Sequence, residues 1–257
     1  MVGNVTLLQA QNVRKLYGGF CALDDVSLTI NDGEHVSIIG PNGAGKTTLV
    51  NVLTGLVRPT AGNVTFKGYN VVNLGAVRLA RLGMARSFQL VNIFPELSVG
   101  ETIAVAAISH LRHGERFFSS TARNRPVWEI VERVGAIFGF SGKLDQPAKI
   151  LSQGDKKLLD VASAFALSPE IILLDEPTSG VSTADKSTIM RVLVQAARQM
   201  GIKAIIQIEH DMDIVFGYSN RIIAVHNGRI LADGSPASIR ARADVMATIV
   251  GRQYDHA

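Results

Sequence analysis

The sequence lacks the markers of several protein classes. Its single cysteine, Cys21, leaves no partner for an internal disulfide among 257 residues, and no Cys/His cluster has zinc spacing. That usage suits a reducing compartment. No apolar run approaches the roughly 18 residues that a membrane helix needs, and the N-terminus lacks a basic-then-apolar secretory pattern. A soluble chain, or one held at a membrane by a partner, is therefore expected. Charge of one sign is also missing: 26 basic against 22 acidic residues give a net +4. Nor do aromatic and basic residues interleave as on a nucleic-acid face, so a mixed surface and no nucleic-acid partner are expected. There are no repeats, low-complexity tracts or linkers.

What is present is enough apolar sequence, 47%, to bury a full core. Residues 5–13 and 22–30 read as strands around a turn at Gly18-Gly19. HVSIIG (35–40) is a short apolar strand, and TLVNVLTGL (48–56) follows at helical spacing. GNVTFKGYNV (62–71) reads as strand and turn, and MARSFQ (84–89) as a short strand. From about 98 to 165 three helical segments follow one another. IILLDE (171–176) and KAIIQIEH (203–210) are continuous apolar runs, as in buried parallel strands, with a helix at 183–201 between them. RIIAVHNGRILADG (221–234) reads as two strands joined by an Asn-Gly hairpin turn. Strands alternating with helices, plus an early antiparallel piece, make an α/β chain.

The most informative stretch is GPNGAGKTT, residues 40–48, which matches G-x-x-x-x-G-K-[ST] between a strand and a helix. Gly40, Gly43 and Gly45 let the backbone turn tightly and aim its amides at phosphate oxygens, and the helix adds its positive end. Lys46 is expected to reach the β- and γ-phosphates, the Thr47 hydroxyl to ligate Mg²⁺, and Thr48 to contact the α-phosphate. A Gly-rich turn that merely contains a lysine is the weaker reading, given the flanking elements. IILLDE ends in Asp175 and Glu176. The first suits a Mg²⁺ ligand and the second a proton acceptor for an attacking water, although acids also end many strands. In LSQGD, Ser152 reads as a helix start, and Ser152 and Gly154 expose amides that suit an anion.

The order of these pieces resembles the ATP-binding subunit of an ABC transporter over essentially the whole chain. GPNGAGKTT is similar to Walker A, IILLDE to Walker B, and LSQGD to the signature usually written LSGGQ. SFQ ends in Gln89, similar to the Q-loop; IEHDM holds His210, similar to the switch histidine; Tyr17 in KLYGGFCAL is similar to the adenine-stacking aromatic. Taken singly, Gln89 reads as a polar loop residue, His210 as a strand-end histidine and Tyr17 as a half-buried aromatic. FQLVNIFPELSVGETI, IEHDMDIVFGYSNRI and GSPASIRARADVMATIVG further resemble the branched-chain amino acid importer group.

The resemblance implies a P-loop NTPase (RecA-like) α/β core with an N-terminal antiparallel β subdomain and an inserted α-helical subdomain. Residues 1–257 would form a single ABC ATPase domain, with 1–88 and 166–257 as the core and 89–165 as the helical subdomain. It implies ATP sandwiched between two subunits, each signature facing the other's Walker A. Tyr17, Gly40, Asn42, Gly43, Ala44, Gly45, Lys46, Thr47 and Thr48 would hold the nucleotide. Thr47, Gln89 and Asp175 would surround Mg²⁺, Glu176 would polarise water, and His210 would hold the γ-phosphate. Ser152, Gln153 and Gly154 would contact ATP held by the other subunit. Multi-span permease subunits, a second ATPase subunit (identical or paralogous) and a solute-binding protein would be partners, at the cytoplasmic face of the inner membrane.

Two departures from the family pattern stand out. Gln153 and Asp155 replace the usual signature residues, Asp155 fitting a helix first turn. Ser182 stands where Asp is common, and with Asp185 it reads as a capping-box-like helix start, leaving the cross-subunit contact there open. Arg112, Arg116, Arg123 and Arg125 around Phe117 and Phe118 could meet anionic headgroups, but a solvated loop is favoured. The rival function is a soluble ABC ATPase serving a protein assembly such as iron–sulfur cluster building. A P-loop kinase or GTPase is disfavoured by LSQGD with IEHDM and by the missing GTP specificity motif.

Overall fold

The computed structural model describes residues 5–87, 94–111 and 125–250. Two compact units divide the chain: Met1–Leu79 with Lys203–Ala257, and Ala80–Ile202.

The first unit opens with an antiparallel hairpin of β1 (Thr6–Tyr17) and β2 (Phe20–Asn31). Both strands outrun the sequence expectation. Alternation breaks at Asn12, whose φ of 46° and register shift between Ala10 and Val13 mark a bulge. The Asn12 amide donates to the Ser27 hydroxyl at 2.8 Å, so the ladder resumes beyond it to Tyr17. The β4 strand (Ala61–Phe66) and the short β5 (Tyr69–Asn70) extend this sheet in the order β2-β1-β4-β5.

A second set of strands carries the phosphate loop. The β3 strand (His35–Ile39) lies parallel between β8 (Ala204–Ile208) and β9 (Arg221–His226), and β10 (Arg229–Gly234) pairs antiparallel with β9. Every residue of β3 and β8 is buried, which explains their mainly apolar composition. Ile39, Ile222 and Ala224 pack with Val215 of α7 (Met212–Tyr218), Ile239 of α8 (Pro236–Arg240) and Val245 of α9 (Ala243–Val250). Burying each of these Ile and Val side chains contributes about 1.5–3 kcal/mol. Polar groups inside this layer pair with one another: the Gln207 amide donates to the Ser37 hydroxyl, which also bonds Ser219. Beside them buried His35 is held below its ordinary pKa, chiefly by loss of water, with the Gln207 side chain partly offsetting this.

The α1 helix (Lys46–Leu53) also belongs to this unit, and α2 (Ala76–Leu82) crosses the division of the chain. The second unit holds the parallel pair β6 (Met84–Arg86) and β7 (Ile171–Asp175). Its helices are α3 (Val99–Leu111), α4 (Arg125–Ile137), α5 (Gln153–Ala166) and α6 (Thr183–Gln199). Buried Val99, Ile103 and Ala107 line one face of α3, and Val127, Val131 and Val134 one face of α4, each at helical spacing. Ser98 and Glu101 close a capping box at the start of α3: Glu101 accepts the Ser98 amide at 2.7 Å and Ser98 accepts the Glu101 amide at 3.1 Å. Among the described residues no helix is long and apolar enough to cross a membrane.

Candidate functional site: a phosphate loop, an acidic strand end and a capped signature helix

The phosphate loop leaves β3 at Ile39 and enters α1 at Lys46, two residues earlier than helical spacing suggested. Its glycines have identifiable causes. A Cβ on Gly40 would stand 2.1 Å from the Val225 carbonyl oxygen, and one on Gly45 2.6 Å from that of Ala22, with φ at 103° besides. No L side chain fits either place. Because Gly45 is the residue before α1, the helix begins with no side-chain cap, and its opening residues Lys46, Thr47 and Thr48 bring no acid to the first turn. An uncapped, acid-free helix start behind a tight glycine loop fits a phosphate group. Buried Lys46 curls back over the loop, its ammonium donating to the carbonyls of Gly40 at 2.7 Å and Pro41 at 2.9 Å. Asn42, Gly43 and Thr47 are exposed, Thr48 is half-buried and Ala44 is buried.

A feature invisible to motif reading braces this loop. The Asn227-Gly228 turn between β9 and β10 has positive φ at both residues, 48° and 73°, as the hairpin reading requires. Its Gly228 amide donates to the Ala44 carbonyl at 2.9 Å, and its carbonyl accepts the Asp24 amide at 2.9 Å. The turn thus ties the phosphate loop to β2. The only advance signal was the Asn-Gly pair itself. Tyr17 ends β1 at the hairpin turn, 47% exposed, with the Lys15 ammonium 4.9 Å from its ring centroid.

His210 follows β8 and is exposed, held by the preceding residue. The buried Glu209 carboxylate accepts the His210 amide at 2.9 Å and the Asp211 amide at 3.4 Å. Asp211 in turn caps α7 by accepting from Asp213 and Ile214. Sequence reading passed over Glu209, whose signal was an acid at the end of a buried strand.

In the second unit Asp175 ends β7 and Glu176 follows it. The two neighbours differ sharply. Asp175 is buried and takes a hydrogen bond from the Arg86 guanidinium at 3.0 Å. Glu176 is half-buried with φ at 49°, a left-handed conformation costing an ordinary residue about 1–2 kcal/mol. Arg86 was missed; a single charge within the short apolar MARSFQ strand was its signal. Gln89 lies outside the described residues, as do Arg112, Arg116 and Arg123. Arg125 begins α4 and pairs with Glu129 at 3.1 Å.

Ser152 caps α5 as its sequence suggests, its hydroxyl accepting the Asp155 amide at 3.1 Å. Asp155, the unusual signature residue, accepts from the Lys143 ammonium at 2.7 Å. Ser152 and Gln153 are exposed. Gly154 differs from the loop glycines: a Cβ there would meet nothing closer than Val181, at 3.9 Å, and its φ is unremarkable. Nothing described within the chain requires a glycine at this place. Ser182 caps α6, accepting the Asp185 amide at 3.3 Å and donating to its carboxylate at 2.6 Å. The hydroxyl-to-carboxylate bond makes this a variant of the expected capping box.

Comparisons with known proteins agree with this fold. The family model described as ABC transporter matches residues 23–179. The high-affinity branched-chain amino acid transport ATP-binding protein LivG of Salmonella typhimurium is 35% identical over 250 residues, covering 95% of this chain and 98% of its own. A solved nucleotide-free ATP-binding cassette from an ABC transporter is 29% identical with a TM-score of 0.81, covering 96% of this chain and all of its own. The ADP conformation of an ATP-binding cassette of an ABC transporter is 28% identical with a TM-score of 0.81, over 96% and 99%.

Proposed function

The chain belongs to the ABC transporter family as one of its ATP-binding ATPase subunits, and from that premise we propose that it drives import of amino acids of the branched-chain type or a related small solute. The solute class rests on the relatives, whose names specify branched-chain amino acid transport. The iron–sulfur assembly alternative gains no support from them. The ATPase chemistry rests above all on the uncapped α1 start behind Gly40 and Gly45, with Lys46 lying over the loop.

In this reading Tyr17 stacks on adenine, and the loop from Gly40 through Asn42, Gly43, Ala44 and Gly45 wraps the phosphates. Lys46 gives up its carbonyl partners for β- and γ-phosphate oxygens, exchanging neutral acceptors for charged ones. Thr48 contacts the α-phosphate. Thr47, Asp175 and Gln89 hold Mg²⁺, which when bound supplies charge neutralisation on the phosphates. Glu176 accepts a proton from the attacking water, and His210 donates to the γ-phosphate as charge builds there. Glu209, by fixing the His210 amide, positions that imidazole.

Ser152, Gln153 and Gly154 serve the nucleotide of a second ATPase subunit, identical or paralogous. A glycine that its own chain does not require is what such an external ligand demands. Residues 89–165 act as the helical subdomain and 1–88 with 166–257 as the nucleotide-binding core. The subunit works peripherally at the cytoplasmic face of the inner membrane, on multi-span permease subunits fed by a solute-binding protein.

The test is transport. The complex purified through this chain, reconstituted in vesicles with its solute-binding protein, is expected to show ATP-dependent uptake of leucine, isoleucine or valine. Uptake of none of these, with ATP hydrolysis intact, would remove the solute class and leave the ATPase reading standing.

A further inference from the structure

We propose that Arg86 is a positioning residue that occupies the Asp175 carboxylate until a divalent cation takes it, so that Mg²⁺ binding proceeds by displacing a guanidinium. The inference rests on the reading of Asp175 as a Mg²⁺ ligand. It goes beyond that reading by adding a residue which motif comparison does not single out.

Geometry carries the argument. Asp175 is the last residue of β7, and its side chain is only 5% exposed. A charge so far from water is costly to bury without an opposite charge beside it. Arg86 ends the neighbouring strand β6, where it stands in register with Leu173. Its side chain therefore runs along the sheet for two residues before its Nη2 donates to Asp175 Oδ2 at 3.0 Å. That side chain is itself only 10% exposed, so solvent screens the pair weakly. The backbone continues the pairing one step further: the Ser87 amide donates to the Leu173 carbonyl at 2.9 Å, fixing where Arg86 can reach.

Two consequences follow from placing a guanidinium on a metal-binding oxygen. With Arg86 on it, the acidic strand end is charge-paired and packed. Asp175 would hold a divalent ion more weakly than a bare carboxylate would, because Arg86 competes for its oxygen. Arginine suits this task better than lysine, because its planar fork holds a carboxylate oxygen at fixed direction and stays charged at any working pH.

The experiment measures equilibrium binding of a non-hydrolysable ATP analogue to the purified transporter complex as Mg²⁺ is titrated from EDTA upward. In Arg86→Gln the half-saturating Mg²⁺ concentration is expected to fall by about tenfold or more, the worth of the charge-assisted hydrogen bond that no longer has to be broken. Arg86→Lys, which keeps the charge, is expected to stay nearer the unmutated value than to the Gln variant. An unchanged or raised half-saturating concentration in folded Arg86→Gln overturns the proposal, since a merely structural Arg86 would move melting temperature alone. Asp175→Asn separates the two readings: if it keeps the full Mg²⁺ dependence, Asp175 is not a ligand and the underlying reading fails. If it loses that dependence while Arg86→Gln shifts nothing, only the present inference fails. Should Arg86→Gln not fold, guanidinium proton exchange by NMR decides on the unmutated protein. The Arg86 Nη protons must lose protection with ATP analogue and Mg²⁺ but keep it with the analogue and EDTA; equal protection in both contradicts displacement.

Discussion

Asp175 and Glu176 are adjacent in sequence yet physically unlike, which fits the different roles proposed for them. The first is buried and ion-paired to Arg86, and the second is half-buried on a left-handed backbone. The acids themselves were legible from IILLDE, because an apolar run ended by charge marks the tip of a buried strand. The partner was not, because a contact across 89 positions of sequence leaves no local pattern. The same holds for Glu209 behind His210. Two substitutions test roles at this scale. Lys46→Ala is expected to weaken ATP binding by about tenfold or more, the worth of a charge-assisted hydrogen bond, measured by equilibrium titration. His35→Gln addresses pH. His35 has a folded pKa below its ordinary 6.5, so it stays neutral while the unfolded chain takes up a proton. Stability is therefore full above pH 6.5 and declines as pH falls through it. Denaturant unfolding across that range should show a shallower acid-side decline in the variant.

Among the elements, those with strong periodicity were readable and their ends were less so. The strands β3, β7 and β8 lie where apolar runs put them, since burial on both faces imposes those runs. The β1 strand ran past its expected end because the Asn12 bulge breaks alternation without breaking the ladder. The Asn-Gly turn was predictable, whereas its grip on Ala44 depends on how the sheet brings β9 beside β3. Gly45→Ala is expected to destabilise the fold by more than about 1 kcal/mol and to abolish nucleotide binding, because a left-handed φ and a backbone contact both oppose the methyl group. Ser152→Ala should cost about 1 kcal/mol of stability through the lost cap of α5, read by thermal unfolding. Its effect on ATP turnover in the complex should be far larger than that loss explains. If turnover fell only in proportion to folded protein, Ser152 would be a helix cap and nothing more.

For the whole molecule, the sequence made the ATPase chemistry plain and the partners only by implication. A phosphate loop is local, nine residues between a strand and a helix, so it is written in one place. The proposed contact of Gly154 with another subunit's nucleotide leaves no such local pattern; the chain itself shows only a glycine with room for a side chain. On this account the isolated chain binds nucleotide but hydrolyses it slowly, and the assembled transporter hydrolyses it fast. The most direct test compares ATP turnover with nucleotide occupancy in the purified transporter complex carrying Glu176→Gln. Occupancy equal to the unmutated complex with turnover lower by about a hundredfold or more is predicted for loss of a general base. Turnover at the unmutated rate would contradict it.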